Sequence, residues 1–151
     1  MSSAIRIATA SADDYPACAA MMAGSEPWLT FQRDLGKCRA VLERPGTELF
    51  VAWEQDQRAG FILLAPCGLA GSPYVASIAV AAEARGQGIG SQLLRFAEDR
   101  FADRGHIFLL VSSFNQRAQK LYRRHGYEFV GELKDYLVPG HSELILHKRI
   151  A

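Results

Sequence analysis

The chain has 151 residues, 49% hydrophobic and 22% charged, which favours one globular domain over residues 1–151 with a single core. The formal net charge of +1 gives no overall field that would attract nucleic acid or an anionic membrane, so an anion site would have to be local. Three widely spaced cysteines argue against a disulfide framework or a zinc site, and no signal peptide or membrane-spanning apolar run is evident, which predicts a cytoplasmic protein.

Hydrophobic periodicity predicts an alternation of strands and helices along the chain. A capping-box-like Ser11-x-x-Asp14 marks the first helix start, and Gly105 marks the end of a later helix. The continuous apolar run 107–111 predicts a strand buried on both faces. In order, the predicted elements are strand 5–9, helix 11–22, a helix ending near 43, strands 48–54 and 58–65, a Gly/Pro-rich loop 66–73, strand 74–80, helix 89–103, strand 107–111, helix 115–125, and strands 127–136 and 143–148.

Two large aromatic residues, Trp28 and Phe31, lie in the connection between the first two predicted helices. Large aromatic side chains are usually buried, so they could close the core. They could equally form the wall of a substrate site, and the sequence leaves both interpretations open.

A glycine-rich turn joins the predicted strand 74–80 to the helix that follows it. The turn reads Arg85-Gly86-Gln87-Gly88-Ile89-Gly90-Ser91. The first N–H groups of a helix have no intrahelical partner, and glycine lets a ligand approach the backbone closely, so the turn suits a phosphate or pyrophosphate. It lacks the lysine of a P-loop and the third glycine of a dinucleotide fingerprint. A purely structural turn that binds nothing remains the alternative.

The spacing Arg85-x-x-Gly88-x-Gly90 resembles the acetyl-CoA loop of the GCN5-related N-acetyltransferase (GNAT) family. A second stretch, Asn115-x-x-Ala118-x-x-Leu121-Tyr122-x-x-x-Gly126-Tyr127, resembles the family's second motif, with tyrosine in place of the final phenylalanine. Taken alone, these side chains could be a helix cap, a close-packing position and a core aromatic. Two motifs in order, separated by a strand, are much more specific, and the chain is most similar to the ribosomal-protein N-terminal acetyltransferase type.

The resemblance implies a mixed α/β fold with four helices and about seven strands, mostly antiparallel, in which strands 4 and 5 splay apart and admit the pantetheine arm. It implies acetyl-CoA as co-substrate, an amine as acceptor, and neither nucleic acid, membrane nor metal as partner; a homodimer stays open. Tyr122 would donate a proton to the departing CoA sulfur. The implied cofactor-binding residues are Ile78, Ala79, Val80, Arg85, Gly86, Gln87, Gly88, Ile89, Gly90, Ser91 and Asn115, and those placed at the amine are Trp28 and Tyr136.

One departure from the family concerns the general base. Relatives of the ribosomal type carry a glutamate on strand 5, where this chain has Leu110. A backbone carbonyl with a water chain, Glu132, Asp135 or His141 are the remaining candidates. An α-amine, with a reference pKa of ~7.7–8.0, loses its proton more easily than a lysine at ~10.4, so the missing base favours a low-pKa amine. A CoA-binding sensor without catalysis is the alternative function.

Overall fold

The computed structural model describes residues 4–150, so the predicted domain 1–151 lies within it except at its two ends. Over these residues the structure contains seven strands and four α-helices, with short 3₁₀ turns at Ala82–Ala84 and Ala102–Arg104. The elements are β1 Ile5–Thr9, α1 Asp14–Ala23, α2 Leu35–Leu42, β2 Glu48–Glu54, β3 Gln57–Leu69, β4 Ser72–Val80, α3 Ile89–Arg100, β5 His106–Ser112, α4 Gln116–Arg124, β6 Glu128–Lys134 and β7 Ser142–Arg149.

The strands form one mixed sheet in the order β1-β2-β3-β4-β5-β7-β6. Only β4 and β5 are parallel, and they pair at two positions, Tyr74 with Phe108 and Val75 with Leu109. Beyond this point the two strands separate, so residues 76–80 have β3 on one side and no strand on the other. The predicted fold, including the splayed strands 4 and 5, is confirmed.

Side chains of β2 and β3 alternate between the two faces of the sheet and define two core clusters. Phe50 and Ile62 pack on the side of α3 together with Leu93. Val51 and Phe61 point to the opposite side and pack beneath α1 and α2. The period-2 pattern of these strands thus builds a three-layer arrangement in which each face of the sheet is covered by helices.

The structure corrects three of the predicted elements. Residues 66–73 are not a loop, because β3 and β4 continue to a tight turn at Ala70-Gly71 with an irregularity between Ala65 and Leu69 that absorbs the glycine and proline residues. The helix predicted over 89–103 ends at Arg100. The strand predicted to be buried on both faces has Ile107, Leu109 and Val111 buried, while its alternate residues are only partly covered.

Capping interactions explain where the first helices begin. The Asp14 carboxylate accepts from the N–H of Ser11 at 2.8 Å and from the Nε of Arg58 at 2.8 Å. The Asp34 carboxylate accepts from the N–H of Lys37 at 2.9 Å and starts α2. The Asp34 cap fixes the end of the α1–α2 connection (residues 24–34), which overhangs the gap between β4 and β5.

Candidate active site

Two cavities open along the gap between β4 and β5. The first, which we call the turn cavity, has a volume of about 580 Å³ and lies against the glycine turn and the start of α3 and α4. Ten of the eleven predicted cofactor-binding residues line it. They are Ile78, Ala79, Val80, Arg85, Gly86, Gly88, Ile89, Gly90, Ser91 and Asn115. Gln87 is exposed and does not border this cavity.

The glycines of the turn differ in backbone conformation and in what a side chain at each position would contact. Gly86 and Gly88 adopt φ angles of +81° and +77°, in the left-handed region, and a Cβ at either position would meet nothing within 4 Å. A Cβ at Gly90 would lie 3.2 Å from Cδ2 of Leu121. A side chain at Gly90 would therefore crowd Leu121 of α4, whereas Gly88 leaves open space at the helix N-terminus.

Residues outside the sequence motifs complete the turn cavity. The α1–α2 connection contributes Ser25, whose Oγ lies 3.4 Å from Nη2 of Arg85, and α4 contributes Arg117 and Arg124. The Oγ of Ser91 lies 2.8 Å from Nε2 of His125. Arginines on a helix are usually solvated surface residues, so only the fold shows that these two border the cavity.

Asn115 and Tyr122 occupy the end of the turn cavity that faces the sheet. The Oδ1 of Asn115 accepts from the N–H of Ala118 at 3.2 Å, so this side chain caps α4, as the simpler interpretation of the motif requires. Its Nδ2 makes no hydrogen bond to the described residues. Tyr122 is 6% exposed and packs edge-on against Tyr127 with 6.1 Å between ring centroids.

The Tyr122 hydroxyl forms no hydrogen bond with any residue of the described range. Burial, followed by the nearby phenol of Tyr74, raises the pKa of Tyr122 above its ordinary value. The phenol is therefore protonated throughout the neutral range and retains its proton as a hydrogen-bond donor.

The second cavity, which we call the hairpin cavity, has a volume of about 480 Å³ and lies beneath the α1–α2 connection and the turn between β6 and β7. Trp28 and Tyr136 both line it. Trp28 is 6% exposed and belongs to the core cluster under α1 and α2, whereas Tyr136 is 60% exposed. Trp28 thus belongs to the core and also lines a cavity, and its place in a substrate site stays a prediction. The two cavities share Glu26, Ile78, Asn115, Ala118 and Tyr122.

The structure separates the candidates for a general base. Leu110 borders the hairpin cavity, but Glu132, Asp135 and His141 do not. Asp135 accepts from the N–H of Gly140 at 2.6 Å, and His141 packs edge-on against Phe114 at 5.0 Å. An acidic residue missed by sequence reasoning, Glu143, is 5% exposed and lines the cavity.

Glu143 is held by the strand pairing of β5 with β7. It lies opposite Ser112, whose Oγ donates to its Oε2 at 2.8 Å. Burial raises the pKa of the Glu143 carboxyl, while the Ser112 hydrogen bond and the charges of Arg33 and His141 act in the opposite direction. The residue is therefore a buried carboxylate with one hydrogen bond from the described residues, facing open space.

Comparisons with known proteins bear on the family and the fold. The Acetyltransferase (GNAT) family matches residues 7–127. A solved structure of a GNAT-family protein from Desulfovibrio desulfuricans has a TM-score of 0.83 at 19% identity, over 98% of this chain and 100% of that one. The ribosomal-protein-S18-alanine N-acetyltransferase of Escherichia coli has a TM-score of 0.77 at 18% identity, over 98% and 95% of the two chains.

A third structure, an aminoglycoside 6′-N-acetyltransferase complexed with coenzyme A, has a TM-score of 0.77 at 17% identity and covers 97% of each chain. No curated protein sequence matches the chain significantly. At these identities the structural matches show the fold, and no helix within residues 4–150 is long and apolar enough to cross a membrane.

Proposed function

The chain belongs to the acetyltransferase (GNAT) family, and from this premise we propose that it transfers the acetyl group of acetyl-CoA to a primary amine by direct attack in a ternary complex. The observation that carries the proposal is the meeting of two cavities at Tyr122. One cavity has the chemistry of an anion site, and the other enters the gap from the opposite side. Two substrates in these cavities would bring their reacting ends together beside the phenol.

The turn cavity suits the pyrophosphate and the pantetheine arm of acetyl-CoA. The N-terminus of α3, with Gly86 and Gly88 beside it, would hold the pyrophosphate, and Arg85 would add a positive charge. The edge of β4 at residues 78–80 has no strand partner on the β5 side, so the pantetheine amides could pair with it as an added strand. The Nδ2 of Asn115 is available as a further donor at the same cavity.

The hairpin cavity suits the amine. Its walls include the aromatic side chains of Trp28, Tyr74 and Tyr136, and it reaches Tyr122 from the side opposite the glycine turn. The acceptor is a protein N-terminal α-amine or a small-molecule amine. Arg33 and Arg44 also border the cavity, and neither forms an ion pair with any residue in the described range, so they offer a place for an acidic group near the amine.

Acetyl transfer at this site requires three events. The neutral amine attacks the thioester carbonyl, the tetrahedral intermediate collapses with cleavage of the C–S bond, and the nitrogen loses its surplus proton. During the collapse the phenol of Tyr122 donates its proton to the sulfur as negative charge develops there, which favours the transition state over the ground state. The free thiols of Cys18, Cys38 and Cys67 are compatible with action in a reducing cytoplasm.

The test is a steady-state assay of thiol release with acetyl-CoA and a panel of amines. The panel pairs each amino acid with its amide, with KM expressed per concentration of neutral amine because amidation also lowers the amine pKa, and adds peptides with free N-termini and a lysine side chain. Turnover with any member supports the proposal, and a lower KM for the acid of a pair would show that Arg33 and Arg44 contact the acceptor. CoA binding without turnover for every amine would favour a sensor, and absence of CoA binding would favour a purely structural glycine turn.

A further inference from the structure

We propose that Glu143 is the general base that takes the proton from the amine. This inference rests on the proposed function and assigns a catalytic residue to a strand where the sequence motifs place none. It starts from position: the carboxylate lies on β7, beside β5, and lines the hairpin cavity together with Tyr122. The base is thus in the cavity assigned to the amine and absent from the one assigned to CoA.

Burial makes Glu143 different from the other acidic residues near the cavity. At 5% exposure the carboxylate has lost most of its water, and its only hydrogen bond within the described residues comes from Ser112. The groups that face it are Ser112 on β5, Tyr74 on β4, Arg33 in the α1–α2 connection, and Tyr136 and His141 in the β6–β7 turn. A buried carboxylate with a raised pKa is a stronger base than an exposed one.

Burial disfavours the charged form of Glu143, so its pKa in the folded protein lies above its ordinary value and the folded state binds the proton more tightly. The contribution of this carboxyl to the free energy of unfolding therefore falls as the pH rises through the window between the unfolded and folded values. A buried carboxyl that lines a cavity is typical of a functional site.

The proton balance of the reaction closes with this assignment. The amine enters as an ammonium ion, and the Glu143 carboxylate takes one proton, which frees the nitrogen lone pair to form the N–C bond. Collapse of the intermediate breaks the C–S bond, and the thiolate takes the phenolic proton of Tyr122. The remaining surplus proton on nitrogen restores the phenol, and Glu143 releases its own to water. The products are the amide, CoA thiol and one proton.

The main test is Glu143→Gln, which keeps the shape and can still accept from Ser112. We expect kcat/KM for the amine to fall by about 10²-fold or more, acetyl-CoA affinity to stay unchanged, and the acidic limb of the pH–rate profile that belongs to Glu143 to disappear, leaving only the rise that follows ionisation of the amine. The melting temperature at pH 8 should be unchanged or higher, because a buried charge is removed. The matched control is Glu132→Gln, which changes an exposed carboxylate outside the cavity and should leave all four quantities unchanged.

A second variant tests the base through its pKa. Ser112→Ala removes the hydrogen bond that stabilises the charged carboxylate, so the acidic limb should move to higher pH. Two results would overturn the assignment: an acidic limb that does not move in Ser112→Ala, or an acidic limb that is retained in Glu143→Gln while only KM rises. Glu143 would then be a group that merely binds the ammonium ion. Full activity of Glu143→Gln would overturn it while the proposed function stands; an inactive wild type with every amine would overturn both.

Discussion

Replacing Tyr122 by phenylalanine isolates the chemistry of one hydroxyl group from the packing of the ring that carries it. The ring is 6% exposed and contacts Tyr127, and phenylalanine keeps both the burial and the contact. The hydroxyl makes no hydrogen bond to the described residues, so its removal breaks none among residues 4–150. We therefore expect the free energy of unfolding to change little, and kcat to report the loss of the donor alone.

The size of the effect follows from the charge that develops on sulfur. A thiol has a reference pKa near 8.5, so CoA leaves as a thiolate that carries negative charge. Burial keeps the pKa of Tyr122 above its ordinary value, so the phenol is protonated at neutral pH and is available as a donor to that developing charge. General-acid catalysis is typically worth about 10²–10⁴-fold. Loss of the donor should thus reduce kcat by roughly 10²-fold or more, equivalent to about 2.7 kcal/mol of activation free energy.

Tyr127→Phe provides a matched control, because the two tyrosines are neighbours but only the Tyr127 hydroxyl has a hydrogen-bond partner among the described residues. The Tyr127 hydroxyl donates to Glu98 at 3.2 Å and borders neither cavity. A hydrogen bond to a charged group contributes about 1.5–3 kcal/mol, so this variant should unfold at a lower temperature and keep its kcat. Tyr122→Phe should show the reverse pattern.

The measurements are thiol release under saturating acetyl-CoA, acetyl-CoA affinity by calorimetry, and thermal unfolding of both variants. Because the raised pKa keeps the Tyr122 proton in place, the wild-type profile should show no basic limb from this phenol below about pH 10, its reference pKa. Full kcat in Tyr122→Phe would refute the reasoning and return the residue to a packing role. An equal loss of kcat in Tyr127→Phe, whose hydroxyl borders neither cavity, would show that the effect does not depend on a donor at the site.

Three further predictions concern the two cavities. Gly88→Ala should abolish acetyl-CoA binding measured by calorimetry. Gly46→Ala, at a similar φ of +78° with nothing within 4 Å, should introduce the same backbone strain and leave binding intact. Equal acetyl-CoA affinities of the two variants would show that Gly88 is not part of the site. Acetyl-CoA at ~100 times its dissociation constant should stabilise the protein by about 2.7 kcal/mol, and adenosine by less; the absence of a thermal shift would favour a structural turn. Tyr136→Ala and Trp28→Phe should raise the acceptor KM in steady-state assays and leave acetyl-CoA affinity unchanged. A loss of acetyl-CoA affinity with an unchanged acceptor KM would show that these residues do not contact the amine.

The sequence predicted the centre of the fold because local rules act strongly there. The glycine turn and the start of α4 lie where the spacing placed them, and the structure adds left-handed backbone at Gly86 and Gly88 and a helix cap at Asn115. Hydrophobic periodicity located the strands, and the order of elements then followed. The prediction of a loop at 66–73 was wrong because glycine and proline also occur in irregular strands, and only the pairing of β3 with β4 distinguishes such strands from a loop.

The walls of the cavities could be predicted only in part, because contacts across long sequence separations decide them. Arg85 and Gly88 came from a motif, but Ser25 borders the same cavity from a connection that carries none. Arg117 and Arg124 are indistinguishable from solvated helix residues until the tilt of α4 toward the turn is known. The motif therefore identified the backbone groups of the site, while the side chains that surround them required the fold.

The proposed base, Glu143, is another residue that only the fold brings to the site, and it changes the conclusion that the acceptor is a low-pKa amine. Strand β7 inserts between β5 and β6, so a residue more than thirty positions after Leu110 comes to lie beside the end of β5. The preference for a low-pKa amine depended on the absence of an acid from β5 itself. If Glu143 takes the proton, an amine with a pKa near that of lysine, ~10.4, can also be activated, although fewer of its molecules are neutral at the start. Comparison of an α-amine with a lysine side chain, in wild type and in Glu143→Gln, therefore measures both the identity of the base and how far the basicity of the acceptor restricts the enzyme: a Glu143 base requires the lysine substrate to lose more activity than the α-amine.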